Sequence, residues 1–343
     1  MASWPEVFRK VPLAELHLHA EGSISPETAC QLAARHGMKL GPAEVAARYA
    51  YTDFPGFLKA FKWVTSLLQT PADYALIIRR LCEALREQNV RYAELTISVG
   101  VMLWRRQDVE ANFAAIREAA ETEDTFPRIQ WIFDAVRQFG PAAALEVARQ
   151  AVALKGAGVV AFGLGGDELS LPAADFREVY DYAAANGLHR LVHAGEVGGP
   201  EQIREAIASL GAERIGHGIA AFRDGELMDL LRERRIPLEV CPTSNLSTGA
   251  LARQLNRPGA SLKDHPLPQL LRSGVPVTLA TDDPSMFRVT LQEEYRHAHA
   301  MGLRTSALLQ IARAGFEHAF LPESDKKTLL DSFDREIGRL GLL

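Results

Sequence analysis

Short apolar runs alternate along most of the chain with longer segments in which apolar residues recur three and four positions apart. The short runs predict β-strands, and the longer segments predict helices that cover a parallel sheet. The eight predicted strands end near Ala20, Ser98, Val136, Gly166, Glu196, Gly218, Asn245 and Pro284. Because the strands alternate strictly with helices, the pattern favours a closed (β/α)8 TIM barrel of the α/β class over an open doubly wound sheet.

The connection between the first two predicted strands, about residues 22–89, is too long for one crossover helix. Four segments within it have helical periodicity, and each has a proline near its start, where a helix tolerates proline. An insertion after the first strand of a barrel lies beside the mouth where active sites form. This helical insertion is therefore either a lid or pocket wall, or ordinary packing. Both roles suit its aromatic residues Phe54, Phe57, Phe61 and Trp63.

Length and composition favour a globular enzyme. The 343 residues suit one barrel domain spanning residues 1–343. Apolar residues make up 47% and charged residues 24%, which is enough apolar sequence for a full core. The net charge of −5 and the lack of basic runs argue against nucleic acid as a partner. We therefore expect a small-molecule partner, while nothing in the pattern indicates an oligomeric state.

The cysteines and the N-terminal segment bear on the compartment. Cys30, Cys82 and Cys241 lie far apart, which argues against a disulfide framework and against a thiolate zinc site. The N-terminal segment lacks the charged-then-apolar pattern of a secretory signal, and no apolar stretch is long enough to span a bilayer. These features predict a cytoplasmic protein that does not enter membranes.

Two histidines at the end of the first predicted strand are candidate metal ligands. His17 and His19 are two residues apart, so in a strand both side chains point to the same side and can meet one ion. His297 and His299 have the same spacing, but the surrounding pattern is helical, and residues two apart on a helix diverge. We expect this second pair to be surface or packing histidines.

Other imidazoles and carboxylates also fall at predicted strand ends, namely His193, Glu196, His217, Asp282 and Asp283. The C-terminal ends of barrel strands converge on one mouth, so residues distant in sequence become neighbours there. Three neutral imidazoles and one carboxylate form a donor set that suits zinc and leaves a position open for water. Such a metal lowers the pKa of water toward neutrality, which predicts hydrolysis.

The chain resembles the adenosine deaminase group of the amidohydrolase superfamily along nearly its whole length. The motifs that carry this resemblance occur in order as ELHLHAEGSI, FLKAFKWVTSLLQT, NVRYAEL, GLGGDE, HAGE, RIGHG, CPTSNL and TDDP. The resemblance implies a metal-dependent (β/α)8 barrel with one zinc ion per subunit. The implied zinc ligands are His17, His19, His193 and Asp282. The fourth strand ends in GLGGDE without a lysine that could bridge two metals, so one metal is expected.

The resemblance also assigns roles in a deamination reaction. Glu196 would protonate the ring nitrogen next to the attacked carbon. His217 would orient and deprotonate the attacking water or stabilise the developing oxyanion. Asp283 would accept a hydrogen bond that fixes the imidazole edge of the purine, and the backbone N–H of Gly166 would meet the opposite edge. Contacts with the substrate are expected from His19, Glu21, Gly166 and Asp283. The implied reaction converts adenosine or 2′-deoxyadenosine to an inosine-type product and ammonia.

One departure from the family pattern leaves the substrate open. Glu21 occupies the position where the adenosine enzymes carry an aspartate that contacts the ribose 5′ hydroxyl, and glutamate there resembles adenine deaminases. The GGDE segment keeps the glycine motif of the nucleoside enzymes, which favours a nucleoside. A third alternative is an adenosine derivative with a modified 5′ side, such as aminodeoxyfutalosine of menaquinone biosynthesis. Trp104, Arg105 and Arg106 either line a pocket for such a group or form an ordinary loop.

Two further classes of function remain as outside alternatives. A different amidohydrolase, acting on an amide or ester, would use the same kind of metal, but the combination of GGDE, HAGE and TDDP argues against it. A non-catalytic metal-binding protein would not need an acid and a base, yet Glu196 and His217 are both present. The motif H-x-E with P-C-x-x-C of the cytidine deaminases is absent, so this chemistry would be convergent with theirs.

Overall fold

The computed structural model describes residues 6–121 and 127–342, and eight parallel strands form its centre. Each strand pairs with the next one along the chain, in the order β1 to β8. The first and last strands meet where the His19 N–H donates to the Asp282 carbonyl at 2.8 Å and the Asp282 N–H donates to the His17 carbonyl at 3.1 Å. The predicted (β/α)8 barrel is confirmed. The strands are β1 Leu13–His19, β2 Val90–Ile97, β3 Arg128–Val136, β4 Val159–Gly165, β5 His189–Ala194, β6 Arg214–His217, β7 Leu238–Val240 and β8 Val277–Leu279.

Helices surround the strands. The α-helices are α1 Pro26–Arg35, α2 Pro42–Arg48, α3 Phe54–Thr65, α4 Pro71–Glu87, α5 Val99–Trp104, α6 Val109–Ala120, α7 Gly140–Ala153, α8 Arg177–Ala185, α9 Pro200–Leu210, α10 Gly225–Glu233, α11 Pro242–Ser247, α12 Ala250–Gln254, α13 Leu267–Arg272, α14 Pro284–Phe287, α15 Leu291–Ala300, α16 Thr305–Glu317 and α17 Glu323–Arg339. Short 3-10 turns occupy Glu6–Lys10, Glu21–Ser23, Arg137–Phe139, Lys155–Ala157, Ala173–Phe176, Ile219–Arg223 and Leu262–Asp264. None of the helices within these described ranges is long and apolar enough to cross a bilayer.

The insertion after β1 consists of the four predicted helices, α1 to α4. Proline occupies the first turn of each, where its missing N–H leaves no bond unmade. Side-chain oxygens of Ser25 and Asp53 accept hydrogen bonds from the first turns of α1 and α3, at 3.2 and 2.8 Å. The Asp53 cap fixes where α3 begins, and α3 carries aromatic side chains toward the barrel mouth.

Strand β1 is buried along its full length, because its side chains face either the barrel interior or the covering helices. Two predicted strands are shorter than expected. The seventh was predicted to reach Asn245 but ends at Val240, because Pro242 lacks an N–H and begins α11 instead. The eighth ends at Leu279, so Asp282 and Asp283 lie in the turn that leads into α14.

Further predictions concerned the second histidine pair, the cysteines and the number of domains. His297 and His299 lie in α15, as their helical pattern predicted. All three cysteines have free thiols. That the chain is a single domain of residues 1–343 stays a prediction, and its extreme N terminus and residues 122–126 fall outside the described residues.

Candidate active site

Five potential metal donors converge at the C-terminal ends of the strands. Each of His17, His193, His217 and Asp282 offers one ligand atom, and these four atoms lie within 4.8 Å of one another. His19 Nε2 is 3.3 Å from His193 Nε2 and 3.5 Å from Asp282 Oδ1. The four predicted ligands therefore come together, and His217 belongs to the same cluster.

The surroundings of His17 fit a metal ligand. Its Nδ1–H donates to Glu239 Oε2 at 2.7 Å, which directs Nε2 toward the other donors. Nε2 is buried and has no hydrogen-bond partner, although Asp282 Oδ1 lies 3.4 Å away. Carboxylates commonly hold metal-binding histidines in this way, through the second ring nitrogen. Although burial opposes it, the interactions with Asp282 and Glu239 raise the pKa of His17 to about 10, so this position attracts a cation.

A buried ionic network of Arg214 and Glu94 surrounds Glu239. Arg214 Nε lies 2.6 Å from Glu239 Oε1, and the same guanidinium pairs with Glu94. Arg214 also donates to the His318 carbonyl at 2.8 Å and packs over the ring of Phe320. Because these charged groups are buried and mutually paired, they hold the Glu239 carboxylate in one position.

The other three imidazoles are neutral. Burial lowers the pKa of His19 to about 4 and that of His217 to about 3. Burial, together with the neighbouring histidines, lowers the pKa of His193 well below its usual value. Neutral imidazoles present lone pairs, which is the form that binds a metal. The donor set of nitrogen and carboxylate oxygen therefore fits zinc, and the orphaned His17 Nε2 is the observation that supports the fit most directly.

Asp282 and His217 are held in uncommon backbone conformations, with φ of 65° and 60°. Few residues other than glycine adopt this left-handed region, and such strain concentrates at functional sites. The Ser244 hydroxyl donates to Asp282 Oδ2 at 2.7 Å. Although burial opposes ionisation, the close approach of His17 and of the other nearby imidazoles holds the pKa of Asp282 well below its usual range.

A chain of three side chains fixes the tautomer of His217. The Leu267 N–H can only donate, and it donates to His265 Nδ1 at 3.1 Å, so neutral His265 carries its proton on Nε2. The His265 Nε2–H donates a hydrogen bond to Asn245 Oδ1 at 3.3 Å, and Asn245 Nδ2 donates to His217 Nδ1 at 3.2 Å. His217 consequently carries its proton on Nε2, which faces the metal donors. In this form His217 is a hydrogen-bond donor toward Glu196 and Asp282.

Glu196 lies two residues beyond β5 and faces His217, with 3.5 Å between Glu196 Oε2 and His217 Nε2. Thr248 donates to Glu196 Oε1 at 3.3 Å, and Gln254 donates to the Glu196 carbonyl at 2.7 Å. Burial, followed by the charge of Asp282, raises the pKa of Glu196 well above its usual value. The raised pKa favours the protonated form of Glu196, which suits a general acid.

Asp283 and Gly166 lie on the cavity wall, and their contacts with substrate stay predictions. Burial and the neighbouring Asp282 raise the pKa of Asp283 well above its usual value, and its Oδ1 has no hydrogen-bond partner. Gly22 allows this packing, since a Cβ there would lie 1.9 Å from Asp283 Oδ1. Gly166 has φ of 93°, which side-chain-bearing residues rarely adopt, and this conformation presents its backbone to the cavity.

The cavity above the donors has a volume of about 460 Å³. Helix α3 of the insertion supplies much of one wall, through Phe54, Phe57, Leu58 and Phe61, so the insertion forms a pocket wall. Glu21 is not among the lining residues. The Ser98 N–H donates to Glu21 Oε1 at 3.0 Å, and burial raises the pKa of Glu21 to about 7. Glu21 therefore lies behind the wall, and its contact with substrate stays a prediction.

Sequence reasoning missed Asp134, near the end of β3. Asp134 lines the cavity, its Oδ1 has no hydrogen-bond partner, and burial raises its pKa to about 8. The available signal was a lone acid in the otherwise apolar end of RIQWIFDAV. The roles of Ser244, Asn245 and Thr248 were also missed, although all three follow the seventh strand directly. Of the run containing Trp104, Arg105 and Arg106, the first two line the cavity and the third does not.

The barrel, the donor cluster and the buried acid are together typical of metal-dependent amidohydrolases. The profile of the adenosine deaminase family matches residues 12–336, and the chain belongs to this family. It is a hydrolase that acts on C–N bonds. This membership favours a deaminase over the two outside alternatives, a non-catalytic metal-binding protein and an amidohydrolase acting on amides or esters.

Named relatives differ in their substrates. The chain is 40% identical to an aminodeoxyfutalosine deaminase of Streptomyces coelicolor, over 94% of this chain and 84% of that one. It is 34% identical to an adenosine deaminase of Serratia proteamaculans, over 94% and 98% of the two chains.

Solved structures are similar over almost the whole chain. An adenine deaminase from Arthrobacter aurescens has a TM-score of 0.88 and 30% identity, covering 96% of this chain and 99% of that one. An amidohydrolase from Burkhoderia ambifaria, solved with bound zinc, has a TM-score of 0.89 and 26% identity, covering 99% and 95%.

Proposed function

We propose that this protein hydrolytically deaminates an adenosine-like nucleoside with a modified 5′ side, with aminodeoxyfutalosine as the best candidate substrate. The 40% identity to an aminodeoxyfutalosine deaminase carries the choice of substrate, because it exceeds the 34% identity to an adenosine deaminase. The buried acid Glu196 beside the donor cluster supports the chemistry. The preference for plain adenosine, expected from the sequence, becomes the second candidate.

One zinc ion would be held by His17, His19, His193 and Asp282, the ligands that the family resemblance implies. When bound, it would lower the pKa of a water molecule and so supply hydroxide at neutral pH. Glu239 would keep His17 oriented for this purpose, and Ser244 would do the same for Asp282.

Glu196 and His217 would perform separate tasks. Protonated Glu196 donates its proton to the ring nitrogen beside the carbon that carries the amine, which makes that carbon more electrophilic. His217 already carries a proton on Nε2, so it holds the attacking oxygen by donating a hydrogen bond and stabilises the negative charge that develops there. Of the two roles expected for His217, this geometry favours the oxyanion role over proton abstraction.

Asp283 and Gly166 would position the purine ring. The imidazole edge of a purine offers N7, which accepts a hydrogen bond. Burial and the neighbouring Asp282 raise the pKa of Asp283 and favour its protonated form, so we propose that it donates to this edge, the reverse of the direction expected from the sequence. As water adds to the amine-bearing carbon, the ring nitrogen keeps the proton from Glu196, one water proton joins the departing amine and the other returns to the Glu196 carboxylate. The C–N bond then breaks, ammonia leaves, and the water oxygen remains as the 6-oxo group of the product.

The test is loss of the adenine absorbance band on zinc-loaded protein, run in parallel with aminodeoxyfutalosine, adenosine, 2′-deoxyadenosine and adenine. We expect the highest kcat/KM on aminodeoxyfutalosine. A higher value on adenosine would replace the proposed substrate with the second candidate and keep the chemistry. Absence of turnover on all four purines would overturn the proposed function. A cytoplasmic location stays a prediction.

A further inference from the structure

The mouth of the cavity carries an aromatic pair that deamination of a purine ring does not use. Trp104, the last residue of α5, is 54% exposed, and Phe139, in the turn after β3, is 37% exposed. Their ring centres are 5.9 Å apart, and the rings are stacked at 29°. Among the described residues, the other exposed large apolar side chains, Met38 and Leu169, do not line the cavity. Exposed apolar groups at a cavity mouth mark a place where a ligand packs.

Cationic groups surround this aromatic pair. Lys62 Nζ lies 5.4 Å from the Trp104 ring centre, and Arg105 Cζ lies 5.7 Å from it. Arg105 is fixed at the end of α3, because it donates to the Lys62 carbonyl at 3.1 Å and to Thr65 Oγ1 at 3.4 Å. Lys59 also lines the cavity. The mouth therefore presents positive charge next to an aromatic surface.

The two signs of charge are separated along the cavity. The acidic lining residues are all buried, and they are Asp134, Glu196, Asp282 and Asp283. Lys59, Lys62 and Arg105 take part in none of the ion pairs formed between described side chains. The cations at the mouth are consequently available to an anionic ligand, although the chain as a whole carries a net charge of −5.

The position of the reacting carbon determines which end of the substrate reaches this mouth. In the proposed reaction the amine-bearing carbon of the purine must approach the donor cluster at the cavity floor. The sugar is attached at the opposite end of the purine ring system. The sugar and any group on its 5′ side therefore extend outward, toward Trp104 and Phe139.

We infer that the cavity mouth is a second binding subsite, formed by Trp104, Phe139, Lys62 and Arg105, for a planar aromatic carboxylate on the 5′ side of the nucleoside. This inference rests on the proposed function. The aromatic ring packs against the exposed pair, and the carboxylate interacts with the two cations. A 5′ phosphate would use the cations but leave the aromatic pair without a role. Aminodeoxyfutalosine, which carries a benzoate on its 5′ side, matches this description.

The kinetic test compares kcat/KM for aminodeoxyfutalosine, its methyl ester, adenosine and AMP in the wild type and in Trp104→Ala and Lys62→Met. Trp104→Ala should lower kcat/KM for aminodeoxyfutalosine about tenfold, since stacking on an aromatic side chain has this magnitude, and should leave adenosine within about twofold. Lys62→Met should reduce the preference for the acid over its ester about threefold to fivefold. Matched controls are Leu169→Ala and Lys39→Met, which remove an exposed apolar group and an exposed cation away from the cavity.

A binding measurement separates this inference from the proposed function. Calorimetry on the wild type and Trp104→Ala gives Kd for inosine and for the 6-oxo product of aminodeoxyfutalosine, without any turnover. If the wild type prefers adenosine as substrate but Trp104→Ala weakens only the aryl-bearing product, the proposed function fails and the subsite is supported. The subsite would be overturned if Trp104→Ala changed Kd equally for both products or for neither. It would also be overturned if kcat/KM were higher for AMP than for aminodeoxyfutalosine and depended on Lys62 but not on Trp104.

Discussion

Replacement of Glu196 by glutamine tests the assignment of the general acid. Glutamine has nearly the same shape and can still accept the hydrogen bond that Thr248 donates to Oε1 at 3.3 Å. Burial raises the pKa of Glu196 and favours its protonated form, and glutamine is neutral like that form. Glutamine cannot transfer a proton to the ring nitrogen. We therefore expect the fold, the metal site and substrate binding to survive while the chemical step fails.

The size of the loss follows from the role of the proton. General acid catalysis by a positioned side chain contributes about 10² to 10⁴ in rate, which corresponds to about 2.7 to 5.4 kcal/mol of transition-state stabilisation. Glu196→Gln should thus lower kcat about 10² to 10⁴ fold and change KM little. The wild-type rate should also fall as pH rises through the raised pKa of Glu196, because the acid then loses its proton, and this limb should disappear in the variant.

The assay combines steady-state rates with metal content measured by atomic absorption on the same preparations. Glu201→Gln, at an exposed position in the first turn of α9, is the matched control and should behave as the wild type. The reasoning is refuted if Glu196→Gln keeps more than about a tenth of the wild-type kcat, since that loss is below the range for general acid catalysis. Loss of zinc together with activity would instead assign Glu196 to the metal site.

Three further substitutions test the parts around this acid. Asn245→Asp presents a carboxylate to His217 Nδ1, which shifts the proton of His217 from Nε2 to Nδ1. We expect kcat to fall at least about tenfold while zinc is retained, and an unchanged kcat would contradict the tautomer assignment. Glu239→Gln weakens the hydrogen bond that orients His17, so zinc affinity measured by chelator competition should fall about 10 to 100 fold. Unaltered zinc affinity would show that Glu239 does not support the metal site. Gly166→Ala places a side-chain-bearing residue at a backbone φ of 93°, which strains the backbone and displaces the edge of the bound purine. We therefore expect KM to rise and kcat/KM to fall, and wild-type kinetics would exclude this contact.

Much of the fold was predictable because parallel barrels have a simple local signature. Each β-rich run was followed by a helical one, and proline marked the start of each helix in the insertion. The clustering of His17, His193 and Asp282 followed from one rule, that the C-terminal ends of the strands meet. The ends of strands were predicted less reliably, because a single residue can decide where a strand ends. The seventh strand appeared longer in sequence than it is, because Pro242 ends it within two residues of Val240.

The parts of the site that were missed depend on side-chain direction. Asp134 belongs to a strand that otherwise reads as core, and only the closed barrel shows that its carboxyl faces the cavity. The sequence did not show that Glu21, in the 3-10 turn Glu21–Ser23, accepts a hydrogen bond from the Ser98 N–H behind the wall, and its contact with substrate stays a prediction. The tautomer of His217 depends on Asn245 and His265, which are 28 residues or more away in sequence. Periodicity carries no information on such contacts.

The most direct test of the central claim is deamination of aminodeoxyfutalosine by the zinc-loaded protein in water enriched in oxygen-18, followed by mass spectrometry and an ammonia assay. Hydrolysis at the amine-bearing carbon predicts a 6-oxo nucleoside that contains one oxygen-18 atom and an equal amount of ammonia, with the sugar linkage intact. Release of a free base, or ammonia formed without oxygen-18 in the product, would contradict the account.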